Sequence, residues 1–190
     1  MFGVPPFMNP LGSILILVAA FLAVFCETAF PVVRHLFGTQ INLLPALIVC
    51  ASLRAGLVTM TLVAALGGLC FDALSANPLG LSVLPLFVAG FIVCWKSELI
   101  LRDQVYAQFV LGLLASATVP LMTLLLLLTA GRAPLVGWGS LWQWLVLTLG
   151  GAVATPVFFK LLAVLERSLS YRRALESSFR PDREIRRGRK

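Results

Sequence analysis

Acidic side chains are scarce in this chain: eight Asp and Glu among 190 residues, against fifteen Lys and Arg and one His. Only 12% of residues are charged, where a soluble domain carries about a quarter. An ordinary water-soluble fold is therefore disfavoured. His35 stands alone beside Arg34, and the four cysteines, Cys26, Cys50, Cys70 and Cys94, fall one to an apolar segment with no C-x-x-C pair. A metal centre needs several ligands at short spacing, and a Ser-His-Asp hydrolase needs a histidine beside its nucleophile. Neither is expected, nor is a cofactor, and the cysteines read as small buried hydrophobes. No Lys or Arg precedes the first apolar run, which is also too long for the core of a cleavable signal. The first helix is thus expected to remain in place.

What the chain has in excess is hydrocarbon: 59% of residues are hydrophobic and the mean hydropathy is +0.97. A helix needs about 20 apolar residues to cross about 30 Å of lipid. Spans are expected near residues 11–30, 37–53, 55–74, 79–95, 105–130 and 141–166. The expected fold is an all-α integral membrane protein, a six-helix transmembrane bundle over residues 1–166. A basic cytoplasmic tail follows over 167–190, helical in part to about 179 and disordered beyond it. The net charge is +7, and ten of the fifteen basic residues lie from Lys160 onward, among them Arg167, Arg172, Arg173, Arg186 and Arg187. In a membrane chain such a cluster is a topology signal, suited to anionic lipid or an acidic partner surface rather than to nucleic acid.

Local chemistry adds detail. Glu27 sits in the last turn of the first span, four residues before Pro31. It either faces a polar interior or reaches the headgroups, and the second is cheaper. Segment Ile41–Leu53 is short, about 13 residues or roughly 20 Å, so it is extended, matched by thinned lipid, or re-entrant. Asn42 is placed to cap it and Pro45 falls in its first turn, where a missing N–H is tolerated. Ala64 and Gly68, with Gly67 adjacent, have the small-x-x-x-small spacing that lets helices approach closely, as do Gly112 and Ser116. Pro120 is expected to kink the fifth span, while Gly150, Gly151 and Pro156 make the sixth pliable. Trp138, Trp142 and Trp144 at one end of that span and Lys160 near the other are interfacial anchors.

Six spans with both termini cytoplasmic place thirteen basic residues inside and leave Arg34 and Arg132 outside, in keeping with the positive-inside rule. Arg34 and His35 directly after the first helix pull the other way, and five spans with a re-entrant second segment fit as well. The six-span reading is preferred.

Asp72 is the most pointed feature. It ends the third span, where the helix macrodipole disfavours negative charge. Backbone N–H groups of the following turn can compensate it, with Asn77 capping the fourth helix, Pro78 in its first position and Gly80 allowing close approach. Alternatively Arg34, His35 or Arg132 can. A proton relay would require a second intramembrane acid, and Glu27 is the candidate.

The block NLLPALIVCASLRAG, followed by GGLCFDALSANPLGLSVL, resembles the rod shape-determining protein MreD family. The resemblance rests on a Leu-Leu-Pro opening at Asn42 to Pro45, a close at Arg54 and Gly56, and a turn running through Gly68, Asp72, Ser75 and Gly80. It covers about 40 residues, Asn42 to Leu81. The chain departs from commoner members at Asn77-Pro78, where a Gly-rich turn is frequent, and in its cationic tail. The resemblance implies a non-enzymatic inner-membrane component of the machinery directing lateral wall synthesis in rod-shaped bacteria. MreC is then the expected first partner, with MreB, RodA and the elongation transpeptidase in a larger complex. It also implies a fold similar to the substrate-binding subunits of energy-coupling-factor transporters, so a vitamin-like binding or transport subunit is the second reading.

Overall fold

The structure, a computed structural model, describes residues 10–29, 42–75, 78–96, 104–131 and 137–177. Among these residues the regular structure is all helical: α1 (Pro10–Ala29), α2 (Leu44–Arg54), α3 (Leu57–Leu74), α4 (Val83–Lys96), α5 (Val105–Thr129) and α6 (Trp138–Ser177). Within α3 a π turn, Val63–Gly67, joins two α-helical halves. Three helices are long and apolar enough to cross a membrane: α3, α5, and α6 over Trp138–Leu169. The apolar parts of α1, α2 and α4 are shorter.

The bounds follow from local chemistry. Pro45 lies in the first turn of α2, where its missing N–H breaks no intrahelical bond. Gly56, at φ +83°, reverses the chain between α2 and α3, a conformation that a side chain would disfavour. Arg54 closes α2, its charge favourable at the negative end of the helix dipole.

α2 is the centre of the fold. It has 11 residues, and every one from Leu44 to Leu53 is buried. One core cluster joins it to Ile16, Ala20 and Val24 of α1, to Met60, Val63 and Ala64 of α3, and to Leu86 and Val93 of α4. Val119 of α5 and Phe159 and Leu162 of α6 complete the cluster. A helix apolar on all sides requires such a setting. Its shortness creates no mismatch with lipid, because other helices enclose it.

The outer surface carries large apolar side chains in rows, such as Val18, Phe21 and Phe25 on α1, Leu62, Leu66 and Leu69 on α3, and Leu149, Val153 and Val157 on α6. A surface of this kind belongs in hydrocarbon rather than water.

Several boundaries differ from the sequence reading. α4 begins at Val83 rather than near 79, because Ser82 and not Asn77 precedes its first turn. Residues 78–82 form a turn in which the Leu81 N–H donates to the Pro78 carbonyl at 3.2 Å, with Gly80 at φ +88°. Pro78 is an exposed turn residue, not the first of the helix, and Asn77 lies outside the described residues. α2 begins at Leu44 rather than near 37, and 37–41 lie outside the described residues. α6 starts at Trp138 and runs unbroken to Ser177, so Arg167, Arg172 and Arg173 belong to a helix, whereas Arg186 and Arg187 fall outside the described part.

Candidate functional site: a buried helix and its polar clamps

Polar groups hold α2 at both ends. At its C-terminal end the Arg54 Nη1 lies 3.3 Å from Glu166 Oε2, with the two side chains 25% and 37% exposed. The guanidinium also stands 5.4 Å above the Phe159 ring, a cation–π geometry. Glu166 reaches the start of α1 as well, since a Cβ on Gly12 would lie 3.1 Å from its Oε1. Beside them the Thr59 hydroxyl donates to Ser13 Oγ at 2.9 Å. Four helices, α1, α2, α3 and α6, are thus joined at one end of the bundle.

At the other end, the first N–H groups of a helix have no intrahelical partner. The Leu44 N–H donates to Asn42 Oδ1 at 3.0 Å, and the Leu43 N–H donates to Glu27 Oε1. Glu27 therefore turns inward, contrary to the expectation that it reaches the headgroups. These donors and the positive end of the α2 dipole are found only inside. Its second oxygen, Oε2, is buried without a hydrogen-bond partner.

Asp72 is 1% exposed. It accepts from the Ser82 N–H at 3.0 Å and from the Ser82 hydroxyl. The acid at the unfavourable end of α3 is thereby placed at the favourable end of α4, where a carboxylate satisfies free N–H groups. The donor is the residue ten positions on. Arg34, His35 and Arg132 lie outside the described residues. Ser75 closes α3, its N–H donating to the Phe71 carbonyl at 2.9 Å.

The π turn aims Asp72. In an uninterrupted α-helix, residue 72 would fall about 120° from the face that carries Met60. The extra residue of the π turn takes back about 100° and brings Asp72 onto the buried side.

The glycines mark where helices touch. A Cβ on Gly67 would lie 2.9 Å from Leu44 Cδ2, and one on Gly68 3.0 Å from the Val83 Cα. Ala64 is buried in the core cluster. Between α5 and α6 the contacts are reciprocal. Thr155 Oγ1 occupies the notch at Gly112, 2.1 Å from where a Cβ would stand, and Ser116 Oγ occupies the notch at Gly151, at 1.8 Å. Gly150 is half-buried beside this seam. Each helix thus offers a glycine and, four residues on, a hydroxyl to its antiparallel neighbour.

Sequence reasoning missed Glu166, Ser82, Gly90 and Thr155. Gly90 is where α4 meets α2, since a Cβ there would lie 2.7 Å from Ile48 Cγ2. The Ser52 hydroxyl is 3.1 Å from the Gly90 carbonyl and 2.7 Å from that of Ile48. Two of the four carried a signal: Ser82 precedes an apolar helical run as a cap should, and Thr155 follows Gly151 at the spacing that links Gly112 to Ser116. Among the described residues no group of three or more His, Cys, Asp or Glu is placed to hold a metal ion. Glu27, Asp72 and Glu166 each hold one helix against another. No protein-family model, curated protein or solved structure matches the chain.

Proposed function

We propose that this chain is a non-enzymatic membrane scaffold of the kind implied by its resemblance to the MreD family. Six membrane segments with both termini cytoplasmic form a bundle that binds the single membrane helix of MreC. Through it the MreB filament is linked to RodA and the elongation transpeptidase, in the inner membrane of a rod-shaped bacterium. One observation carries the reading. The segment on which the resemblance rests, Asn42 to Leu81, supplies the enclosed helix and the Asp72 cap, and its Ser52, Arg54, Thr59 and Asp72 side chains join one helix to another. Such a segment serves a rigid body presented to partners rather than a reaction.

Co-purification with MreC from detergent tests this, with a stable association expected. A folded, monodisperse chain that never retains MreC refutes it. The second reading, a vitamin-like binding or transport subunit similar to energy-coupling-factor substrate-binding subunits, is favoured by Glu27 Oε2, an inward carboxylate oxygen without a partner. A ligand at 100 times its dissociation constant adds about 2.7 kcal/mol to stability. A thermal-shift panel of vitamins therefore separates the two readings, and uniform absence of shifts favours the scaffold.

A further inference from the structure

The outward-facing helices differ greatly in length. α5 has 25 residues, about 37 Å, whereas α4 has 14, about 21 Å. Both ends of α4 are marked. At one end Trp95, 75% exposed, is followed by the exposed Lys96, the pairing that sits at a membrane surface. At the other, α4 gives way to the non-helical turn at 78–82, where Leu79 is 71% exposed. Backbone outside a helical ladder cannot be left facing hydrocarbon, because its N–H and C=O groups find no partner there. Along the intervening face Phe87, Phe91 and Trp95 form a continuous aromatic ladder, with ring centroids 6.0 and 6.2 Å apart. From Val83 to Trp95 the helical face rises about 18 Å, well short of the usual 30 Å or so of hydrocarbon. Tilting the helix shortens the span further.

We propose that the α4 face thins the bilayer locally: headgroups on one side descend to the 78–82 turn, while lipid beside α5 keeps its ordinary depth. The surface of α4 is therefore a lipid-facing one that selects short acyl chains, and the protein's hydrophobic belt is stepped. This rests on the reading of the chain as a membrane-spanning bundle. Mismatch of this kind is modest in cost per ångström, but it sorts proteins among bilayers and draws short-chain lipid to the site.

The test uses the full chain in phosphatidylcholine liposomes with monounsaturated chains of fourteen, eighteen and twenty-two carbons. Leu79→Cys and Leu121→Cys are each made the sole cysteine. Leu121 lies 16 residues into α5, about 24 Å from its first residue and well inside that helix's apolar length. Expected is ready labelling of Leu79→Cys by a membrane-impermeant maleimide, with Leu121→Cys at least an order of magnitude slower; a fluorescent maleimide attached in detergent before reconstitution is expected to be quenched by chain-brominated lipid at Leu121→Cys and not at Leu79→Cys. For the wild-type chain, the thermal midpoint is expected to be highest in the shortest lipid and lowest in the longest. Equal quenching of the two labelled positions by brominated lipid, or a midpoint that rises with chain length, overturns the proposal. So does a Leu79→Cys shielded from both reagents, which would mean that protein covers the turn. Release of the chain by carbonate extraction would instead defeat the membrane-spanning reading itself.

Discussion

Replacing Asp72 by alanine leaves the Ser82 N–H and hydroxyl without an acceptor, at a site only 1% exposed. A hydrogen bond to a charged group contributes about 1.5–3 kcal/mol, and loss of a helix cap alone costs about 0.5–2 kcal/mol. Asp72→Ala is therefore expected to destabilise the chain by about 3 kcal/mol, a fall in melting temperature of about 6–12 °C at this length. Ser82→Ala removes only the hydroxyl donor and should cost about half as much. Because both changes act on one carboxylate, the double variant should fall short of their sum by about 1–2 kcal/mol. Asp72→Asn, which keeps a carbonyl acceptor but not the charge, should lie between wild type and Asp72→Ala. Unfolding followed by tryptophan fluorescence, in mixed micelles titrated with a denaturing detergent, measures all four variants. An Asp72→Ala within about 0.5 kcal/mol of wild type, or strict additivity with Ser82→Ala, would refute the capping role.

Other perturbations reach different parts of the fold. Gly151→Ala places a Cβ on the Ser116 hydroxyl and should cost about 1–3 kcal/mol, most of it recovered by adding Ser116→Gly; failure of that rescue in the same unfolding assay would show the seam to be slack. Arg54→Ala loses a half-exposed ion pair and a ring contact, together about 1–2 kcal/mol, and Arg54→Lys should recover only part, because an ammonium cannot stack as a guanidinium does. Glu27→Gln retains an acceptor for the Leu43 N–H and should be tolerated, while Glu27→Ala should expose the Leu43 amide to exchange, as hydrogen–deuterium measurements would reveal. A Glu27→Gln variant as unstable as Glu27→Ala would show that the carboxylate's charge, rather than its acceptor, holds α2.

The helical character and the apolar runs were legible in the sequence because each rests on a pattern within one segment. So was the exceptional nature of the second segment, too short to span yet apolar throughout. Its enclosure was not, since nothing within LLPALIVCASL says which helices surround it. Likewise Asp72 was recognised as an acid requiring compensation, and a backbone donor in the following turn was among the alternatives. Expecting Asn77 at the cap nevertheless set the start of α4 four residues early. Arg54 is legible in the sequence only as the residue that closes the second segment, because its partner, Glu166, is 112 residues away; pairings of that separation leave no trace in local spacing. The π turn was equally hidden. Its sequence, VAALG, is an unremarkable helical stretch, and only the need to bury both Met60 and Asp72 calls for the extra residue.

The enclosure of α2 also bears on how the chain is made. Glu166, which holds its last residue, is synthesised 112 residues after it, a delay of roughly 5–20 s at ordinary translation rates of about 5–20 residues per second. Throughout that interval α2 lacks part of its housing, because α5 is made only from Val105 onward and α6 is unfinished until after Glu166. A segment of 11 residues, about 16 Å, is too short to hold its own place across the lipid. The nascent chain must keep α2 sheltered against α1 and α3 until its later neighbours arrive, so the final topology is set only when the last helix closes over the first half.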